Sequence, residues 1–142
     1  QMNVDLRASW LCARAAAPHM RRLRGGRIIN FADWTPRSGR PRYAGFLPYY
    51  VAKAGVIALT EGLALELAPV RVNMIAAGFV DTPLSASLLG DQLDARREQL
   101  RTTLPIGRVV GPADVAELAV HLMTNTAVTG ATFDIDGGQQ LV

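Results

Sequence analysis

Tyr49-Tyr50-Val51-Ala52-Lys53-Ala54-Gly55 holds the only lysine in a chain of 142 residues. Lys and Arg together number 15, so every other basic side chain is arginine and Lys53 stands apart. The two differ in kind: Arg is a planar fork that stays charged, Lys a compact point charge on a flexible stem. Residues i and i+4 of a helix share a face about one turn apart, so Tyr49 and Lys53 are expected to point the same way. An ammonium beside a phenol favours phenolate and is expected to lower the tyrosine pKa from its reference near ~10. Such a tyrosine can trade a proton with an alcohol or carbonyl near neutral pH. Tyr-x-x-x-Lys alone also fits an ordinary helix-surface pair, so its surroundings decide.

Outward from this stretch the chain alternates helices and strands. Residues 4–23 read as a helix, with Leu6, Trp10, Ala17 and Met20 at helical spacing. Residues 27–32 form a short apolar strand, and 35–47, rich in Pro, Gly and Arg, a loop. A long helix is predicted over 48–68, with proline tolerated in its first turn. Its Ala52, Gly55, Ala58 and Gly62 make a stripe of small residues. Residues 70–77 are nearly all apolar, as in a parallel strand buried on both faces. Residues 84–104 are polar, partly helical and expected to be a mobile lid. A helix over 112–124 and a strand over 131–135 follow. The alternation predicts an α/β fold whose strands pair in parallel through right-handed crossovers. There is no internal repeat or linker, so residues 1–142 read as one domain.

Composition narrows the function classes. The 49% hydrophobic content suffices for a core in one small domain. Cys12 is alone, which precludes an internal disulfide and points to a reducing cytoplasm. No apolar run approaches ~18 residues, so no membrane span is expected. The clusters Arg21-Arg22-Leu23-Arg24 and Arg37 to Arg42 lack interleaved stacking aromatics, which argues for a solvated helix end and loop rather than nucleic-acid binding. Gly25-Gly26 is expected to stop the first helix. No metal site is expected.

The surrounding segments extend the argument. Leu63-Ala64-Leu65-Glu66-Leu67-Ala68, Arg71-Val72-Asn73-Met74-Ile75, Gly78-Phe79-Val80-Asp81-Thr82-Pro83, Pro105-Ile106-Gly107-Arg108 and Asp136-Gly137-Gly138 follow Tyr49 and Lys53 in order. Together they resemble the second half of short-chain dehydrogenases/reductases. The resemblance implies a Rossmann-like, doubly wound parallel sheet. It also implies that the chain corresponds to the C-terminal catalytic portion, without the N-terminal dinucleotide-binding βαβ units. The family's Gly-rich strand-to-helix turn, which holds the cofactor pyrophosphate, has no counterpart in this sequence.

Site residues carry over by resemblance, position by position. Tyr49 would deliver a proton; Lys53 would hold the ribose hydroxyls of NAD or NADP. Where the family's catalytic serine falls, this chain has Asp33, as in pteridine reductases, which favours NADP. Asp33 could accept from, or protonate, a pterin-like ring; alternatively it opens a turn and Thr35 or Ser38 does the serine's work. Asp33 and Tyr49 lie a few positions further apart than usual, an insertion assigned to residues 36–42. Asp5 falls where the family has a relay asparagine. Gly78, Val80 and Thr82 would lie along the nicotinamide. The family's helix pairing implies a homodimer or homotetramer. Two functions follow: an NAD(P)H-dependent reductase of a pterin-like ring or carbonyl, or a truncated, inactive chain that only pairs with relatives.

Overall fold

Three parallel strands set the frame. The computed structural model describes residues 1–39 and 44–142, and orders the strands β1 (Arg27–Asp33), β2 (Arg71–Ala77) and β3 (Thr132–Ile135). β1 pairs with β2 from Arg27↔Arg71 to Asp33↔Ala77, and β2 with β3 from Met74↔Thr132 to Ala77↔Ile135. In central β2, Val72 to Ala76 are buried without a break. A strand covered on both faces has no solvent side, so its sequence shows no polar alternation.

Helices cover both faces. On one lie α1 (Ala8–Arg22), preceded by a π-helical turn at Met2–Arg7, and α3 (Leu47–Glu66). Ala13 and Ala17 of α1 pack with Leu63 of α3 against Val70 and Val72, while Val56 and Leu6 meet Ala32 and Met74. The buried Asn30 amide donates to Thr60 Oγ1 at 2.9 Å, and that hydroxyl donates to the Val56 carbonyl. On the opposite face α6 (Pro112–Thr124) is anchored by Arg71, whose guanidinium donates to the carbonyls of Leu122, Met123 and Val128 at 2.9–3.0 Å. Leu122 and Met123 belong to the last turn of α6, where carbonyls have no partner within the helix. At its start, Asp114 accepts from the Gly111 N–H and from both terminal nitrogens of Arg108. Arg108, and after it the Gly111 N–H, hold the Asp114 carboxyl down at about 2.

Three local expectations need correction. The loop over 35–47 contains a short helix, α2 (Trp34–Arg37), because Asp33 Oδ1 accepts from the Thr35 N–H at 2.7 Å and caps it. The polar 84–104 segment is ordered as α4 (Pro83–Leu89), a 3-10 turn (Gly90–Gln92) and α5 (Leu93–Thr103). Its polarity is spent internally: Arg97 binds Asp81 through Nε and Nη2, both at 2.9 Å, while Leu100 and Leu104 are buried. The left-handed residue that ends α1 is Arg24 (φ 53°), one position before the glycines.

The small-residue stripe on α3 divides. Ala52 is fully buried, and a Cβ on Gly55 would lie 2.8 Å from Leu6, so these two serve this chain's own packing. Ala58 is exposed and a Cβ on Gly62 would meet no atom within 4 Å. Of the basic clusters, Arg21 donates to the Glu66 carbonyl, Arg22 meets His19 Nδ1, and Arg37 lies 3.6 Å from Asp134. Arg40 and Arg42, with part of the 36–42 insertion, fall outside the described residues. Among those described, no helix is long and apolar enough to cross a membrane.

Candidate active site

Strand β1 and helix α3 bring the first pair together. Asp33 ends β1 and Tyr49 lies in the first turn of α3, and the Tyr49 hydroxyl donates to Asp33 Oδ2 at 3.1 Å. Asp33 Oδ1 takes both the Thr35 N–H and the Thr35 hydroxyl, at 2.7 and 2.6 Å. Asp33 therefore opens a turn and also faces Tyr49. Neither alternative hydroxyl bonds to Tyr49: Thr35 donates to Asp33, and Ser38 donates to the Thr35 carbonyl. A carboxylate offers roughly four acceptor positions, and three bonds reach Asp33, two on Oδ1 and one on Oδ2. Oδ2 keeps capacity for one further donor.

Lys53 sits one turn on, its Nζ 5.6 Å from the Tyr49 ring centroid. The ammonium is spoken for on its other sides: Asp5 Oδ1 lies at 3.4 Å and the Phe31 carbonyl at 3.3 Å. An ammonium has three donors, so one remains for a hydroxyl. Asp5 Oδ2 is buried and has no hydrogen-bond partner among the described residues.

The Tyr49 pKa moves opposite to the expectation. Burial first, then the adjacent Asp33 carboxylate, drive it well above the ordinary tyrosine range, with a smaller push from Asp5. Two carboxylates oppose the phenolate, and the Lys53 ammonium is paired with Asp5. Tyr49 in this arrangement is a neutral donor.

The loop after β2 is built chiefly for the fold. A Cβ on Gly78 would lie 2.7 Å from Asp136 Cβ and 2.8 Å from its Cα, so the close approach this glycine permits is by Asp136. Gly78→Ala should therefore cost about 1–3 kcal/mol through overpacking, visible as a lower urea midpoint; an unchanged midpoint would show that the Asp136 backbone yields freely. Val80 forms a parallel bridge with Val110. Thr82 caps α4, accepting from the Ser85 N–H at 3.2 Å, while Ser85 Oγ accepts from the Thr82 N–H. As a hydroxyl, Thr82 can still donate its own proton.

A cleft of about 1080 Å³ opens at the carboxyl ends of the strands, lined by Asp33, Tyr49, Trp34, Phe46, Phe79, Leu84 and Arg96 among others. Gly78, Val80 and Thr82 are not among its lining residues; Asp5 and Lys53 line a second depression of about 510 Å³. The sequence reading missed Trp34, Phe79 and Arg96. Pocket-facing aromatics and a helix arginine carry no distinguishing spacing, so no local signal marked them.

A parallel sheet between helix layers, with tyrosine and lysine one helical turn apart at its carboxyl edge, defines a Rossmann-like α/β scaffold. The profile described as enoyl-(acyl carrier protein) reductase matches residues 1–140, and the chain belongs to the short-chain dehydrogenase/reductase family. It is 34% identical over 147 residues to 4-formylbenzenesulfonate dehydrogenase of Comamonas testosteroni, covering 98% of this chain and 56% of that one. It is also 34% identical over 141 residues to a 3-oxoacyl-(acyl-carrier-protein) reductase of Thermotoga maritima, covering 96% and 54%. The chain spans about half the length of these curated relatives. A solved small-chain dehydrogenase in complex with NADPH superposes with a TM-score of 0.88 at 28% identity, covering 99% of this chain and 62% of that one.

Proposed function

We propose that this protein is an NAD(P)H-dependent oxidoreductase in which Tyr49 is the proton donor, acting on a carbonyl or a pterin-like ring. The observation that carries the reading is the run of contacts from Asp33 to Tyr49, and from Lys53 to Asp5, beside a cleft at the strand ends. A nicotinamide cofactor would supply hydride. The third N–H of Lys53 suits a ribose hydroxyl, and the Thr82 hydroxyl suits a carboxamide. Val80 would meet the same carboxamide through its backbone, while Gly78 is explained by Asp136 without any cofactor. Asp5, with Oδ2 unbonded and buried, would pass protons toward Lys53.

Asp33 favours the ring substrate. A carboxylate cannot donate to a ketone oxygen, whereas its remaining acceptor site suits the N–H of a heterocycle. Favouring NADP over NAD rests on the same likeness to pteridine reductases. Two relatives are named for a formyl compound and a 3-oxoacyl compound, which supports the carbonyl arm. Oxidation of NADPH and NADH, followed at 340 nm with dihydropterin and with an aryl aldehyde, tests the proposal. A cooperatively folded protein that neither binds nor oxidises either cofactor would favour the non-enzymatic reading, an oligomerisation partner.

The face of α3 around Ala58 and Gly62 also carries exposed Val51 and Leu65, which suits a second subunit in a homodimer or homotetramer. A two-fold interface uses the same patch twice. Ala58→Phe should weaken association while leaving the monomer's unfolding midpoint in place. An unchanged mass in light scattering would sink that assignment. A cytoplasmic setting rests on the unpaired Cys12.

A further inference from the structure

Among the described residues, Arg96 is the one basic side chain that lines the cleft. Its guanidinium lies over the Phe79 ring, 5.8 Å from the centroid, and Nη1 donates to Gln99 Oε1 at 2.8 Å. The next arginines on α5 are differently placed. Arg97 is bound by Asp81 and Asp94, and Arg101 by Glu98. No carboxylate among the described residues lies within ion-pair distance of Arg96, although it has five donors to offer.

The remaining walls are apolar: Trp34, Phe46, Leu84, Leu88 and Leu100 line the same cleft. A guanidinium steadied on an aromatic face, with apolar surface around it, binds an anion more strongly than the same group in open water. Asp33 lines the same cleft beside Tyr49 and would repel an anion there, which favours placing the negative group of a charged substrate at Arg96. Its anionic group meets Arg96, its apolar body lies along the leucines, and its neutral reacting end faces Tyr49 and Asp33.

Resting on the reading of this cleft as the substrate site, we propose that it selects apolar ring substrates carrying one carboxylate or sulfonate, and that Arg96 is the residue that determines this preference. Such a molecule would meet a cation at one end and the Asp33–Tyr49 pair at the other, with apolar side chains between them.

Calorimetric binding of 2-naphthoate and its neutral analogue 2-naphthamide tests this without requiring turnover. The wild type should bind the carboxylate about tenfold more tightly than the amide, the difference expected of one charge-assisted contact. Arg96→Gln should bring the ratio to about one, and Arg96→Lys should keep part of it because charge survives without the fork. A wild-type ratio near one, no binding of either probe, or a preference that survives in Arg96→Gln overturns the proposal. Turnover is read separately with 4-carboxybenzaldehyde and NADPH. Carboxylate preference with no turnover of this aldehyde or of dihydropterin, by NADPH or NADH, leaves the anion subsite standing and sinks the oxidoreductase reading. Turnover without that preference does the reverse.

Discussion

Tyr49→Phe should lower NAD(P)H-dependent turnover by about 10²–10⁴-fold, the usual contribution of a positioned acid or base. Only a hydroxyl is removed. Tyr49 is half-buried and donates a single hydrogen bond, to Asp33, which keeps its two bonds from Thr35. Circular dichroism and the urea midpoint should therefore stay close to wild type, separating lost chemistry from lost fold. Lys53→Arg should also be strongly impaired. The compact ammonium bridges Asp5 and the Phe31 carbonyl at 3.4 and 3.3 Å, and a planar fork cannot reproduce that geometry with a donor to spare. Normal turnover by either variant would remove these residues from the catalytic machinery.

Asp33→Ser should exchange one substrate class for another: reduction of dihydropterin should be lost and that of simple ketones should rise. Serine can donate to a carbonyl oxygen; an ionised aspartate can only accept. The same substitution has a signature in pH. Asp33 raises the Tyr49 pKa both by its charge and by its hydrogen bond, so its removal lets that pKa fall toward the ordinary tyrosine value. Proton donation needs the protonated phenol, so the alkaline limb of activity should move to lower pH in Asp33→Ser. Burial, the largest cause, remains and limits the shift. The raised pKa also has a consequence for stability. Tyr49 releases its proton more readily unfolded than folded, so its contribution is intact below about pH 10 and is lost as pH rises beyond it. A wild type that reduces ketones well and ignores pterins, with Asp33→Ser unchanged in both respects, would retire the pterin reading.

The elements were legible because their signals are local. The unbroken apolar run of β2 announced a strand buried on both faces, and the helix expected over 112–124 is α6 (Pro112–Thr124). Tyr49 and Lys53 were placed on one face by helical periodicity alone, and the structure puts the ammonium beside the ring. Where local signals compete, the reading failed. Residues 84–104 look mobile as a list of polar side chains, yet Arg97 finds Asp81 across the fold and Leu100 is buried. Nothing in the sequence around Gly78 shows that a Cβ there would also meet the backbone of Asp136.

The sequence by itself determined which residues could do chemistry and on which elements they sit, since spacing along one helix or strand fixes which side chains share a face. Tertiary structure alone decided what each of them meets. The charge of Lys53 is answered by Asp5 rather than by the Tyr49 phenol, and Asp33 brings a second negative charge against that phenol. The expected direction of the Tyr49 pKa was therefore reversed. Burial and charge pairing depend on groups from the π-helical turn, strand and helix converging in space, and no periodicity records which of them will do so.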